Sequence, residues 1–265
     1  MLKAEGIVKV FNPGTVNEKK ALQGVNLTLS PGDFVTVIGG NGAGKSTLLN
    51  SIAGVFPVDE GRIEIDGANV TRLSEHRRAA FIGRVFQDPM RGTAADMSIE
   101  ENLAMAARRG QRRGLRWYIT NAERREYAER LRELDLGLEK RLTDKVGLLS
   151  GGQRQALTLL MATLRAPKVL LLDEHTAALD PKTAAKVLEV SQRLIAENHL
   201  TTLMVTHNMN DAIRLGNRLM MMNEGTVLYE VAGEEKQRLD KQDLIALFEK
   251  KAGDEGLNSD RVLLS

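Results

Sequence analysis

The sequence contains no cysteine, which excludes a disulfide framework, a zinc–thiolate site and a cysteine nucleophile. It also lacks a long apolar run. The longest, Leu159–Leu164 with its neighbours, falls far short of the roughly 20 residues that span a bilayer. The first residues, Met1-Leu-Lys-Ala-Glu-Gly, carry no apolar segment or cleavage site of a secretory signal. Neither charge sign dominates: 37 Lys and Arg face 35 Asp and Glu, a net charge of +2. That balance argues against nucleic acid as the main partner, while leaving room for a local basic patch. These absences lead to the expectation of a soluble cytosolic protein. Aromatic residues make up only 4% and there are only 6 prolines, yet glycines number 24. With no low-complexity segment to absorb them, the glycines point to turns with special backbone demands. The 42% of apolar residues in 265 suffice for a core, in one large domain or one domain with a sizeable insertion.

Val25, Leu27 and Leu29 alternate with polar residues as in a half-buried strand, and Phe34–Ile38 reads as a short buried strand. Gly39–Gly44 follows, then an apolar stretch from Ser46 to Ala53 with helical spacing. Gly61–Gly67 alternates again. From about Ser98 to Leu142, Glu, Arg, Leu and Ala take over with helical periodicity, clearest in Ala122–Leu134. Alternation of strand and helix then resumes: strand Val169–Leu172, helix Pro181–Glu197, strand Thr202–Val205, helix Asn210–Leu215 and a hairpin around Asn223-Glu-Gly225. The pattern is an α/β sheet interrupted by a helical segment, followed from Gly233 by a charged tail with an amphipathic helix near Asp240–Lys250.

Gly39-Gly-Asn-Gly-Ala-Gly-Lys-Ser-Thr47 follows a strand and opens a helix, the context that the pattern G-x-x-x-x-G-K-[ST] requires. Glycines let backbone N–H groups curl around a polyphosphate, and the helix start adds partial positive charge. Lys45 would reach the β- and γ-phosphates and the Ser46 hydroxyl would coordinate Mg²⁺. Hydrolysis needs a second, acidic element. Val169-Leu-Leu-Leu-Asp-Glu174 supplies a strand ending in two carboxylates: Asp173 for the Mg²⁺ shell and Glu174 to polarise an attacking water. Leu149-Ser-Gly-Gly-Gln153 lies between the two, and a Ser-Gly-Gly turn at a helix start offers N–H groups and a hydroxyl to phosphate.

With this motif in place, the chain resembles the nucleotide-binding subunit of ATP-binding cassette (ABC) transporters, of the bacterial importer type. The resemblance runs up to about residue 230. It implies an α/β fold: a RecA-like P-loop NTPase core with an antiparallel β subdomain and an inserted α-helical subdomain at about 90–150. The implied domains are an ATPase domain over 1–232 and a charged helical tail over 233–265. It implies that Gly39, Asn41, Gly42, Ala43, Gly44, Lys45, Ser46 and Thr47 cradle ATP. Phe11 resembles the aromatic that stacks on adenine, with an ordinary core phenylalanine as the other reading. Gln87, in Val85-Phe-Gln-Asp-Pro89, matches the glutamine that contacts Mg²⁺ or water. Asp180 matches the acid of the loop after the catalytic Glu174, and His207 the switch histidine that contacts the γ-phosphate. Ser150, Gly151, Gly152 and Gln153 match the signature that completes the site of a second copy. His76 and His199 read as surface residues.

One departure is His175, where the family has proline. Little damage is expected with Asp173 and Glu174 intact, although a titrating imidazole beside the base would alter its protonation. The resemblance further implies two composite sites in a head-to-tail dimer, a separate membrane permease, a solute-binding protein, and a place in the cytoplasm at the inner face of the membrane. It also implies amino-acid-like substrates. Arg108, Arg109, Arg112, Arg113 and Arg116, beside Trp117 and Tyr118, form either a patch toward anionic lipid or permease, or a solvated face. The alternative function is a non-transport ABC ATPase in translation or cofactor assembly. A nucleotide kinase would give no reason for Leu149–Gln153.

Overall fold

The structure, a computed structural model, describes residues 1–111 and 119–252. The chain opens with strands β1 (Leu2–Phe11), β2 (Lys19–Leu29) and β3 (Phe34–Ile38), helix α1 (Lys45–Ala53), strands β4 (Glu60–Ile65) and β5 (Ala68–Asn69), and helix α2 (Glu75–Arg78). Next come β6 (Ile82–Val85), α3 (Ile99–Ala107), α4 (Asn121–Arg132), α5 (Gly151–Thr163), β7 (Val169–Asp173) and α6 (Pro181–Glu197). The remaining elements are β8 (Thr202–Val205), α7 (Met209–Arg214), β9 (Arg218–Asn223), β10 (Thr226–Ala232), α8 (Gly233–Arg238) and α9 (Lys241–Ala252). They form two compact units, the first from Met1–Arg78 with the described part of Leu200–Ser265, the second from Ala79–His199. Among the described residues, no helix is long and apolar enough to cross a membrane.

The first unit holds an antiparallel sheet in the order β2-β1-β4-β5 and a group of strands in the order β10-β9-β3-β8. There β3 runs parallel to both β8 and β9, and β10 folds back antiparallel onto β9. All five residues of β3 are buried, as expected of a strand with parallel neighbours on both sides. Its one polar side chain, Thr36, donates from its hydroxyl to the Ala212 carbonyl at 2.8 Å. The C-terminal helix α9 packs here too: Leu244 and Phe248 join Ile38, Met209, Ala212, Leu219, Met221 and Val231 in one apolar cluster.

Two buried cations brace this unit. Arg78 donates to the carbonyls of Ser51 (2.6 Å) and Ile52 (2.8 Å) in α1 and to those of Leu73 and Thr71 (both 2.9 Å). It thereby satisfies the carbonyl end of α1 with positive charge, where the helix dipole is negative. Lys236, 2% exposed, donates to the carbonyls of Leu215, of Gly216 (3.1 Å) and of Arg218 (3.3 Å). Burial pushes its ammonium down to about 8.

In the second unit β6 and β7 are parallel, with Ile82 beside Val169 and Val85 beside Leu172. Helix α5 packs against β6, α3, α4 and α6 through a buried face that includes Leu157, Leu159 and Leu160. Its helices start on side-chain caps: Ser98 with Glu101 for α3, Thr120 with Glu123 for α4, and Ser150 with Gln153 for α5, each a reciprocal capping box. Asp180 caps α6 by accepting from the Thr183 N–H at 3.1 Å, with Pro181 in the first turn.

The sequence pattern misses strands β1, β5 and β6, of which β5 has only two residues. In β1 the register slips between Ala4 and Ile7, between Ile7 and Val8 and again between Lys9 and Val10, so the two-residue alternation is broken. Strand β6 has four residues, among them Gly83 and Arg84, too few to show a period.

Candidate nucleotide site

The glycine-rich turn leaves β3 and enters α1 without any side-chain cap. Gly44, at φ 98°, takes the place before the helix. A Cβ there would lie 2.6 Å from the Ala21 carbonyl oxygen and 3.3 Å from the Gly225 Cα. Both the left-handed backbone and the close approach therefore require glycine. The first turn of a helix leaves N–H groups beyond its own ladder, and at α1 that turn adjoins the glycine loop, an arrangement suited to an anion. The Lys45 ammonium donates to the carbonyls of Gly39 (2.6 Å) and Gly40 (2.9 Å). Asn41 and Gly42 are exposed, Ala43 and Gly44 buried, Ser46 exposed and Thr47 half-buried.

A second strand turn backs the loop. At the tip of the β9–β10 hairpin the Gly225 N–H donates to the Ala43 carbonyl at 3.0 Å. The Gln23 N–H donates to the Gly225 carbonyl at 2.9 Å, and Gln23 Nε2 to the Glu224 carbonyl at 2.7 Å. The hairpin is legible in the sequence, but nothing local indicates what it touches. Gln23 and Gly225 thus belong to the loop's support, a role that only the fold reveals.

Phe11 ends β1, half-buried, edge-on to Phe56 with ring centroids 5.3 Å apart. Lys9 Nζ sits 5.6 Å from the centroid of each ring. Phe11 is thus outside the buried core. His207 follows β8 and is exposed. Burial raises the Asp211 carboxyl, and the positive charge of Arg214 opposes this.

In the second unit, β7 delivers Asp173 and Glu174. Burial raises the Asp173 carboxyl, the Arg84 guanidinium at 3.5 Å opposes this, and the Glu174 charge raises it again. Glu174 lies at φ 43°, in the left-handed region that costs a side-chain-bearing residue about 1–2 kcal/mol. Its carbonyl accepts from the Ala177 N–H at 2.9 Å, closing a turn. Gln87 is exposed just beyond β6, ahead of a 3₁₀ turn in which Asp88 accepts from the Met90 N–H at 2.9 Å. Asp180 is exposed at the start of α6.

Ser150 and Gln153 prove to be partners. The serine hydroxyl accepts from the Gln153 N–H at 3.3 Å, and the glutamine Oε1 accepts from the Ser150 N–H at 3.2 Å. The O–H of Ser150 and the N–H groups of Gly151 and Gly152 remain as donors.

His175 is not the titrating neighbour that the sequence allows. It is 1% exposed, and burial pushes its imidazole down to about 4, so it is neutral at pH 7. The arginine cluster is only partly a face. Arg108 pairs with Glu123 at 3.0 Å, and Arg109 donates to the Ala162 carbonyl at 3.0 Å. Arg112, Arg113, Arg116, Trp117 and Tyr118 lie outside the described residues.

A buried parallel strand, a glycine loop and an uncapped helix start define a P-loop nucleotide-binding α/β protein. The ABC transporter family matches residues 22–177. This chain is 42% identical over 254 residues to the tyrosine transport ATP-binding protein of Clostridioides difficile (strain R20291), covering 94% of this chain and 99% of that one. It is 34% identical over 232 residues to the methionine import ATP-binding protein of Corynebacterium diphtheriae (strain ATCC 700971), covering 86% and 64%. A dimeric ATP-binding cassette solved in a post-hydrolysis state with ADP and Pi matches with a TM-score of 0.74 at 31% identity, over 88% of this chain and 98% of that chain. The chain belongs to the ABC transporter family: it is an ATP-binding cassette, an ATPase with the P-loop ABC fold.

Proposed function

We propose that this cassette drives uptake of a small solute, an amino acid such as tyrosine, through a separate membrane permease. The observation that carries this reading is the 42% identity to the tyrosine transport protein over nearly the whole of both chains. In this reading the cassette sits in the cytoplasm at the inner face of the membrane, and a solute-binding protein completes the complex.

The loop residues Gly39, Asn41, Gly42, Ala43, Gly44, Lys45, Ser46 and Thr47 hold the phosphates, and Phe11 stacks on adenine. The Ser46 hydroxyl, Gln87 and the Asp173 carboxylate are hard oxygen donors, which suit Mg²⁺. Bound Mg²⁺ would neutralise charge on the β- and γ-phosphate oxygens. Glu174 orients and polarises the attacking water, Lys45 and His207 stabilise charge on the γ-phosphate, and Gln87 positions water. Ser150, Gly151, Gly152 and Gln153 serve a second copy, so that two chains sandwich two ATP molecules head to tail, and Asp180 stands in the loop after Glu174.

Two measurements test this. Purification from membranes should bring down an integral permease; recovery with ribosomes or a soluble assembly complex instead would favour the non-transport reading. In size-exclusion chromatography with ATP and Mg²⁺, Glu174→Gln should elute as a dimer, and a monomer under every condition would count against the sandwich.

A further inference from the structure

We propose that His175 is a positioning residue for Glu174, tethering the turn after β7 to α6 through Ser191. The inference rests on the reading of Glu174 as the residue that activates water. Glu174 holds a left-handed backbone at φ 43°, and such a conformation persists only where its surroundings over-determine it. The turn hydrogen bond from Ala177 to the Glu174 carbonyl is one restraint. The adjoining side chain supplies another.

The imidazole Nε2 lies 3.0 Å from the Ser191 hydroxyl, and that hydroxyl donates to the Val187 carbonyl at 2.7 Å. With the serine proton committed to Val187, Nε2 must carry the ring proton and donate it. The chain of bonds therefore runs from the turn into the body of α6. Both side chains are buried, His175 at 1% and Ser191 at 2% exposure. The other nitrogen, Nδ1, is buried with no hydrogen-bond partner among the described residues. That costs free energy which an apolar side chain of similar shape would avoid. The ring is therefore kept for the bond it makes to Ser191, which fixes its orientation as packing alone would not.

The test compares His175→Phe, Ser191→Ala, their combination and His175→Gln, whose amide can restore a donor toward Ser191. Steady-state ATP hydrolysis and thermal unfolding are measured on each, with Glu174→Gln alongside. His175→Phe and Ser191→Ala should each lower kcat by about tenfold, as a slightly misplaced group does. KM for ATP should stay within about twofold, because ground-state binding is untouched. The double variant should be no worse than the worse single, and His175→Gln should regain most of the loss. Wild-type kcat in Ser191→Ala, or His175→Gln as impaired as His175→Phe, would overturn the tether. If His175→Phe folds poorly, Ser191→Ala decides, since it removes only one atom from the chain of bonds. Glu174→Gln with wild-type hydrolysis would instead bring down the underlying reading of Glu174.

Discussion

Helices α1 and α5 both start at glycines, yet they treat their free N–H groups in opposite ways. Helix α5 closes its first turn with its own side chains, Ser150 and Gln153, as do α3, α4 and α6 with theirs. Helix α1 has no such cap, and a glycine at φ 98° stands where a capping side chain would be. A capped start has fewer donors to give, and a start without a side-chain cap offers more of them to an anion. On the proposed reading, the comparison separates a helix start that holds phosphate in its own chain from one that would meet the phosphate of a second copy. The turn at Glu174 is a third type, in which one side-chain group matters and the backbone serves to aim it.

The predictions press on these differences, in descending size. Glu174→Gln should reduce phosphate release by about 10²–10⁴-fold, the usual span for loss of a group handling the proton. Nucleotide affinity, titrated with a fluorescent analogue, should barely change. Gly44→Ala should do the reverse: the strained φ and the 2.6 Å approach to Ala21 should weaken nucleotide binding by about tenfold or more and cost about 3 kcal/mol of stability. Wild-type affinity in that variant would show that the loop's backbone is not the receptor.

The buried bases provide a further contrast, since His175 is neutral at pH 7 while Lys236 keeps its charge in a nest of carbonyls. Because the folded Lys236 value is about 8 against 10.5 for the free side chain, the unfolded chain binds more protons between those values. Stability should therefore rise with pH across that window, by about 3 kcal/mol at most, and fall back as pH drops through it. Urea unfolding of the wild type and Lys236→Met at pH 7.5 and 9.5 checks this: the variant should lose the slope. Smallest of all, Ser150→Ala should cost about 1 kcal/mol through the lost cap, while leaving ATP affinity of the isolated chain unchanged. Equal loss of affinity in Ser150→Ala and Gly44→Ala would erase the distinction between the two helix starts.

The phosphate loop, the paired acids and most of the alternating elements were legible in the sequence because each is a local pattern: glycine spacing, an apolar strand ending in carboxylates, helical periodicity between caps. Helix Pro181–Glu197 and strand Thr202–Val205 have the same bounds in both readings. What escaped depends on residues distant in the chain. The bulged β1 hides its alternation, and Phe11 gains Phe56 as an edge-on neighbour only in the fold. At position 175 the sequence shows a histidine beside an acid, which suggests a titrating group. Only burial against Ser191 turns it into a neutral anchor.

The bond from Gly225 to Ala43 also orders events in the making of the protein. Residues 39–47 leave the ribosome before the hairpin tip that finishes their support. A nascent chain released before residue 225 carries the whole phosphate-loop sequence without the strand turn that holds it in shape. The loop's support is therefore completed only after the side-chain-capped helices of the second unit, which lie between the two segments in the chain, have been synthesised.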